Sequence, residues 1–337
     1  MAWPTITAYC VVDLVAFLEA GVVETNNRRT EPVISVNVTR AVVAYQSPVV
    51  CTAVVPSHSA TRRRRLVLAT LSPMLDTLYS SVHYFFRGDP FLIYVLGTFI
   101  YALAVYILAN VFFVALDLLK PKWALKYKIQ DKKSVNWKQW TSALPTIAVN
   151  HLIVMPIFLV VTYQLRPPTK TAFSIDGIPS WPRVLFELAV CVLAEEVTFY
   201  YSHRLLHHKS IYPYIHKKHH DWVTPIGIVS VYAHPFEHVV SNLFPVFVGN
   251  MLLESHIAVR WVWIAIALTG TTVEHSGYHL PFLILSEQHD FHHLAFTECY
   301  GAIGLLDWLH GTDKRFRSGI QGKRDHVNFN FAPLKRQ

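Results

Sequence analysis

The sequence predicts an all-α integral membrane protein, and three observations carry the prediction. Hydrophobic residues make up 52% of its 337 positions and charged residues only 15%, against roughly a quarter charged in an average soluble domain. Several apolar runs are long enough for a helix to cross a ~30 Å hydrocarbon core. The histidines recur at i, i+3 and i+4, the spacing that shares one helical face.

The chain opens with MAWPTITAYCVVDLVAFLEAGVVE, which lacks a basic start and is interrupted by Asp13 and Glu19, so it reads poorly as a signal peptide. Residues 1–65 form an N-terminal segment to which no structure or function is assigned. Residues 62–65, RRRR, precede a weak candidate span at 66–86, which Pro73 and Asp76 interrupt. The strongest span covers 91–119 and carries no charge before Asp117. Further candidates cover 143–165 and 184–201, and the runs 239–253 and 257–273 read as a hairpin that enters the bilayer in part.

Charge then orients the spans. Residues 120–138 hold seven lysines against Asp131, and such an excess beside a span marks the cytosolic side. Two more crossings return the chain to the cytosol at His203. The expected organisation is therefore residues 1–65, then 66–183 with membrane helices and a cytosolic Lys-rich loop, then 184–337 with further membrane helices and the histidines.

Those histidines point to metal. The stretch HRLLHHKSIYPYIHKKHH, starting at His203, holds six of the nineteen in the chain, and neutral imidazole is the commonest metal ligand. His203 and His207 share a helical face, with His208 beside them; His216, His219 and His220 follow i, i+3, i+4. The pattern returns as His275 and His279 in HSGYH and as His289, His292 and His293 in HDFHH. Eleven imidazoles suit two ions better than one, since each takes about four to six ligands. Imidazole fits iron, zinc, copper and nickel alike, so ligand type leaves the metal open. His58, His83, His151, His256 and His326 stand alone and read as structural, while His310 in LHGTD is intermediate.

Other function classes fare worse. A net charge of +8 raises nucleic acid as a partner, but the basic residues flank apolar spans without a nucleic-acid motif. Cys10, Cys51, Cys191 and Cys299 are scattered, with neither a disulfide framework nor a thiolate zinc motif. HPFEH, His234 to His238, matches the inverted zinc-peptidase signature with Glu237 as base, but a zinc hydrolase leaves the other clusters without a role. A metal transporter places its ligands near the bilayer midplane, whereas the first two clusters follow a span. A non-catalytic metal-binding membrane protein is the remaining alternative.

Together HRLLHH, HKKHH, HSGYH and HDFHH resemble the fatty acid hydroxylase/sterol desaturase superfamily of membrane non-haem di-iron oxidoreductases, from about residue 91 to the C-terminus. The resemblance implies about four transmembrane helices under a cytosolic helical cap that holds the dinuclear site, in the endoplasmic reticulum membrane. It implies two iron ions, O2 as co-substrate, and electrons from NAD(P)H through a separate reductase and cytochrome b5. Its members hydroxylate fatty acyl chains or sphingolipids, desaturate sterols or oxidise the C-4 methyl of a methylsterol; that last reaction is the expected one. The implied ligands are His203, His207 or His208, His216, His219, His220, His275, His289, His292 and His293, with His279 standing where sterol oxidases more often carry Asp. Glu196, Glu237, Glu274 and Asp290 are candidates to accept a ring N–H from a ligand. The apolar WVWIAIALTGTTV stretch is a candidate wall for a lipid entrance.

Overall fold

The computed structural model describes residues 77, 79–130, 137–283, 286–327, 329 and 333–334. The segment 1–65, most of the weak span at 66–86 and residues 131–136 of the Lys-rich loop lie outside the described residues. All described residues belong to one compact unit, His58–Gln337. Its regular elements are helical.

Three helices among the described residues are long and apolar enough to cross a membrane: α1 (Pro90–Leu119), α2 (Trp137–Leu165) and α5 (Ile257–His275). The ends of α1 follow from local chemistry. Asp89 accepts a hydrogen bond from the Leu92 N–H at 2.9 Å and Pro90 fills the first turn, where its missing N–H is harmless. At the other end Lys120 turns left-handed at φ 47° and Pro121 forbids continuation. One face of α1 packs inward through Ala102, Tyr106, Asn110 and Phe113, while Ile107, Leu108 and Val111 stay exposed, as a lipid-facing side requires.

About four spans were expected; three helices qualify among the described residues, and most of the 66–86 candidate lies outside them. Between α2 and α5 lie α3 (Trp181–Leu206) and α4 (Phe244–Leu252). At 26 residues α3 is long enough to cross, but Arg183, Glu187, Glu195, Glu196 and Arg204 interrupt its apolar character, and it is absent from the three qualifying helices. It packs along α4 so closely that a Cβ on Gly249 would lie 2.7 Å from the Cys191 Cα. Glycine is required there by backbone approach.

Polar contacts lock the spans to the part of the chain that carries the histidines. Tyr106 of α1 donates to the Ile228 carbonyl at 2.7 Å, and Asn150 of α2 donates to the carbonyls of Val231 and Ala233 at 2.9 and 3.0 Å. Asp117, at the end of α1, accepts from Lys128 Nζ and Tyr278 Oη at 3.0 and 3.1 Å. Within the spans, Arg260 of α5 is buried against the rings of Tyr94 and Phe247 and donates to Tyr94 Oη at 3.0 Å. A buried cation is thus held by two aromatic faces and a hydroxyl. Beyond α5 come four short helices, α6 (Ser286–Ala295), α7 (Leu305–His310), α8 (Lys314–Ser318) and α9 (Ile320–Arg324).

Candidate metal centre

The last turn of α3 supplies His203 and His207, a 3-10 turn at His216–Asp221 supplies His216, His219 and His220, the end of α5 supplies His275, and α6 supplies His289, His292 and His293. Their ring nitrogens sort into two sets: His203, His207, His216, His220 and His292 in one, and His219, His275, His289 and His293 in the other. The pairs four apart stay together (203 with 207, 216 with 220, 289 with 293), while the i+3 member of each i, i+3, i+4 triplet, His219 or His292, falls in the other set. The 3-10 turn and α6 therefore each serve both sets.

Neighbouring Nε2 atoms are in van der Waals contact or closer. In the first set His203 and His220 each lie 3.0 Å from His216, and His292 lies 3.1 Å from both His207 and His220. In the second, His275 is 2.9 Å from His289 and 3.3 Å from His219, and His293 is 3.1 Å from His289.

What lies behind the rings decides what these contacts mean. His203, His219, His275 and His292 donate through Nδ1 to the carbonyls of Tyr300, Tyr232, Thr271 and Glu298 at 2.8, 3.0, 2.8 and 2.8 Å. His216 Nδ1 meets Glu237 Oε1 at 2.7 Å. A carbonyl can only accept, so a neutral ring anchored in this way keeps its proton on Nδ1 and aims a bare Nε2 lone pair at its neighbours.

Charge on the rings would not relieve that crowding. Burial pushes the His203, His216, His289 and His292 imidazoles well down, with neighbouring imidazoles adding to the effect, and lowers His219 to about 4 and His207 to about 2. Neutral rings with inward lone pairs suit a cation. Ligands on a metal at ~2.1 Å would lie ~3.0 to ~3.4 Å apart at right or tetrahedral angles, which is the spacing seen here. The donor set fits two metal ions, five nitrogens to one and four to the other.

Two of the eleven expected histidines stand apart. His208 is exposed and its Nδ1 accepts from the Ser210 N–H at 3.3 Å, so of the alternative pair His207 is the one brought into the set. His279 is buried elsewhere, between Glu287 Oε1 at 3.2 Å and the His326 carbonyl at 3.1 Å. In HPFEH, His234 caps its own turn by accepting from the Phe236 N–H, and Glu237 turns to His216, so the zinc-peptidase arrangement is not assembled.

The four acids divide likewise. Glu237 reaches a ring directly. Glu196 reaches none, but accepts the N–H groups of Ala302, Ile303 and Leu306 at 2.9, 2.8 and 2.8 Å. It thereby fixes the segment that begins at Tyr300, whose carbonyl anchors His203. Asp290 accepts from Gln130 and Gln321, both at 3.0 Å, and Glu274 lines a neighbouring cavity. Sequence reasoning missed the carbonyls of Tyr232, Thr271, Glu298 and Tyr300, which every residue type possesses. It also missed Glu287, buried between His279 and Arg324.

Loss of the Glu237 anchor has a measurable consequence. Glu237→Ala is expected to weaken metal retention by the five-histidine set about 10- to 100-fold, while Glu237→Gln, whose amide oxygen still accepts from His216 Nδ1, loses less. Competition with a chelator during dialysis of the purified protein measures both, and equal retention by Glu237→Ala and wild type would refute the anchoring role.

Fold and site together define a helical, membrane-type protein with a histidine-lined site suited to two metal ions. The fatty acid hydroxylase family profile matches residues 188–312, which include all nine clustered histidines. The chain is 43% identical over 221 residues to fatty acid hydroxylase domain-containing protein 2 of Homo sapiens, covering 64% of this chain and 65% of that protein. It is 37% identical over 231 residues to a fatty acid hydroxylase of Mycosarcoma maydis, covering 68% and 60%. To methylsterol monooxygenase 1 of Danio rerio it is 34% identical over 200 residues, covering 57% of this chain and 68% of that protein. The chain thus spans somewhat less than two thirds of the human and fungal relatives. No solved structure matches it. The chain belongs to the fatty acid hydroxylase family.

Proposed function

We propose that the protein is a membrane di-iron oxidoreductase that oxidises a C–H bond of a lipid, and that its substrate is a C-4 methylsterol. The observation that carries the reading is the pairing of two sets of buried, neutral imidazoles with an adjoining apolar cavity. When bound, two irons supply O2 activation at such a site, with one oxygen atom entering the C–H bond and the other leaving as water, at the expense of two electrons and two protons.

The chain's own residues do the rest. The carbonyls of Tyr300, Tyr232, Thr271 and Glu298, with Glu237, orient the rings. The apolar cavity walls exclude water and hold the alkyl portion of the substrate, which enters from the bilayer. Neutral imidazoles leave the metal pair more positive than carboxylates would, which suits oxidation of an unactivated C–H bond; hydrolysis needs no such oxidant. Electrons come from NAD(P)H through a separate reductase and cytochrome b5, with the centre facing the cytosol at the endoplasmic reticulum membrane. The Lys-rich loop is the surface for an acidic donor or anionic headgroups.

Metal content and lipid composition of membranes from expressing cells test the proposal, beside a His292→Ala, His293→Ala double variant. The expected result is about two irons per chain and a 4-methylsterol pool that falls only with the intact protein. Changes confined to hydroxylated acyl chains would move the substrate to fatty acids or sphingolipids. Iron-loaded protein that consumes no O2 when given a reductant and lipid would overturn the oxidase reading.

A further inference from the structure

Beside the centre, a cavity of ≈ 200 Å3 opens between α2, α3, α4 and α5. That volume is several times the ~30 Å3 share of one water. Its walls are mainly apolar, with Met155, Phe199, Phe247, Trp263 and Leu268 among them. Ile266 and Ile303 also line it while 49% and 40% exposed, so the cavity reaches the outer surface of the helices.

Among its polar lining residues, three carry buried atoms without a partner: His151, Ser230 and His238. Each is at least nine-tenths buried, and none of His151 Nδ1, His151 Nε2, His238 Nε2 and Ser230 Oγ has a hydrogen-bond partner within the protein. Buried polar atoms are nearly always paired, so four orphans on one cavity require a common explanation. Their backbone setting is unusual too. His151 lies in a π-helical turn, Asn150–Val154, and His238 opens another, His238–Leu243. The two turns pack against each other, and such turns concentrate at functional sites. His151, read from the sequence as a structural histidine, packs its ring on Tyr106 but makes no hydrogen bond through either nitrogen; His256, by comparison, uses both ring nitrogens, on Ala258 and Ser174.

The chemistry of the recess selects its ligand. Burial, with His151 adding, lowers His238 to about 3, so its ring is neutral. Asn242 Nδ2 donates to His238 Nδ1 at 3.3 Å, which leaves the ring proton on Nε2 as an unpartnered donor on a residue that lines the cavity. Ser230 can donate and accept. No lysine or arginine lines the cavity, whereas Glu195 and Glu274 do. A carboxylate or phosphate would find no countercharge and two acids, but a hydroxyl finds both a donor and acceptors.

We infer that His151, Ser230 and His238 form a recess that binds the hydroxyl of an uncharged, otherwise apolar lipid and so sets which carbon of that lipid faces the metal centre. The recess and the centre share a backbone: Glu237, which anchors His216, precedes His238, and Thr271, whose carbonyl anchors His275, lines the cavity. This inference rests on the lipid-oxidase reading and narrows its substrate class.

The test is equilibrium binding to the metal-loaded full chain in lipid nanodiscs, with four probes: a radiolabelled 4-methylsterol, its 3-O-methyl ether, octadecanol and stearate. The free sterol is expected to bind about 10-fold or more tightly than its ether, because the ether cannot donate and leaves buried acceptors unpaired. Stearate should bind more weakly than octadecanol. Ser230→Ala and His151→Phe should bring the hydroxyl-to-ether ratio close to one without weakening the ether; Ser230→Ala, a small change, guards against a folding defect in the other. A wild-type ratio near one, a ratio unmoved by both variants, or preference for stearate would overturn the inference. Binding needs no turnover, so loss of the oxidase reading alone would leave the hydroxyl selectivity standing.

Discussion

Replacing His292 with alanine is expected to strip the five-histidine set of its metal while the four-histidine set keeps its own, lowering bound metal from about two ions to about one per chain and the proposed turnover by at least about 100-fold. His292 is fully buried, and its Nε2 stands 3.1 Å from both His207 and His220, so it sits among the other donors of its set. Its Nδ1 is fixed by the Glu298 carbonyl, and Glu298 itself is held by the N–H groups of Arg315 and Phe316 at 2.9 and 3.1 Å. The anchor therefore survives the substitution and the loss is confined to the ring. Two controls give the prediction its edge. His208→Ala, at an exposed ring outside both sets, should retain metal and turnover. His279→Ala should cost stability through its contacts with Glu287 and the His326 carbonyl, yet retain both metal ions. Metal analysis of the three purified proteins decides the matter, and a full metal complement in His292→Ala together with wild-type turnover would refute the assignment.

The contrast between His208 and His207, or His279 and His275, also marks where sequence reasoning stops. Periodicity places His203 and His207 on one face because both lie in one helix. It cannot say that the helix ends at Leu206, with His207 as its cap, and that His208 is thereby turned outward. The HKKHH segment fits an α-helical spacing but forms a 3-10 turn, and, like the α-helical HDFHH, it distributes its three rings over two sets, which spacing does not reveal. In the spans, α1 and α2 were legible because lipid imposes length and apolarity on contiguous residues, whereas α5, read as half of a hairpin that enters the bilayer in part, is itself long and apolar enough to cross. Helix α3, read as a span at 184–201, was legible as a helix, but the partners of its charges were not all legible. Glu187 pairs with Arg183 within the helix at 2.6 Å, whereas Glu196 finds its partners more than a hundred residues away.

That distant contact gives the second large effect. Glu196 is 1% exposed and accepts three N–H groups, two from the loop between Tyr300 and α7 and one from Leu306 in the first turn of α7. Asp307 reinforces the same loop from its far side, accepting the Tyr300 and Gly301 N–H groups at 2.9 and 2.6 Å and the Thr312 hydroxyl at 2.6 Å. Glu196→Ala would leave three N–H groups facing a space that a carboxylate filled. Each unsatisfied buried group costs about 1–3 kcal/mol, and with partial relaxation the total is expected near ~3–5 kcal/mol. Glu196→Gln should lose less, since its amide oxygen still accepts while its amide nitrogen confronts a donor. The structural damage has a chemical address: the loop carries the Tyr300 carbonyl that orients His203, so metal should be lost first from the five-histidine set. Thermal unfolding in detergent and limited proteolysis between residues 300 and 306 would measure the first effect, and chelator competition the second. Stability of Glu196→Ala within about 0.5 kcal/mol of wild type, the ordinary range for a surface substitution, would mean that the loop holds without its carboxylate. His203 would then be placed by α3 alone, through the same turn that positions His207.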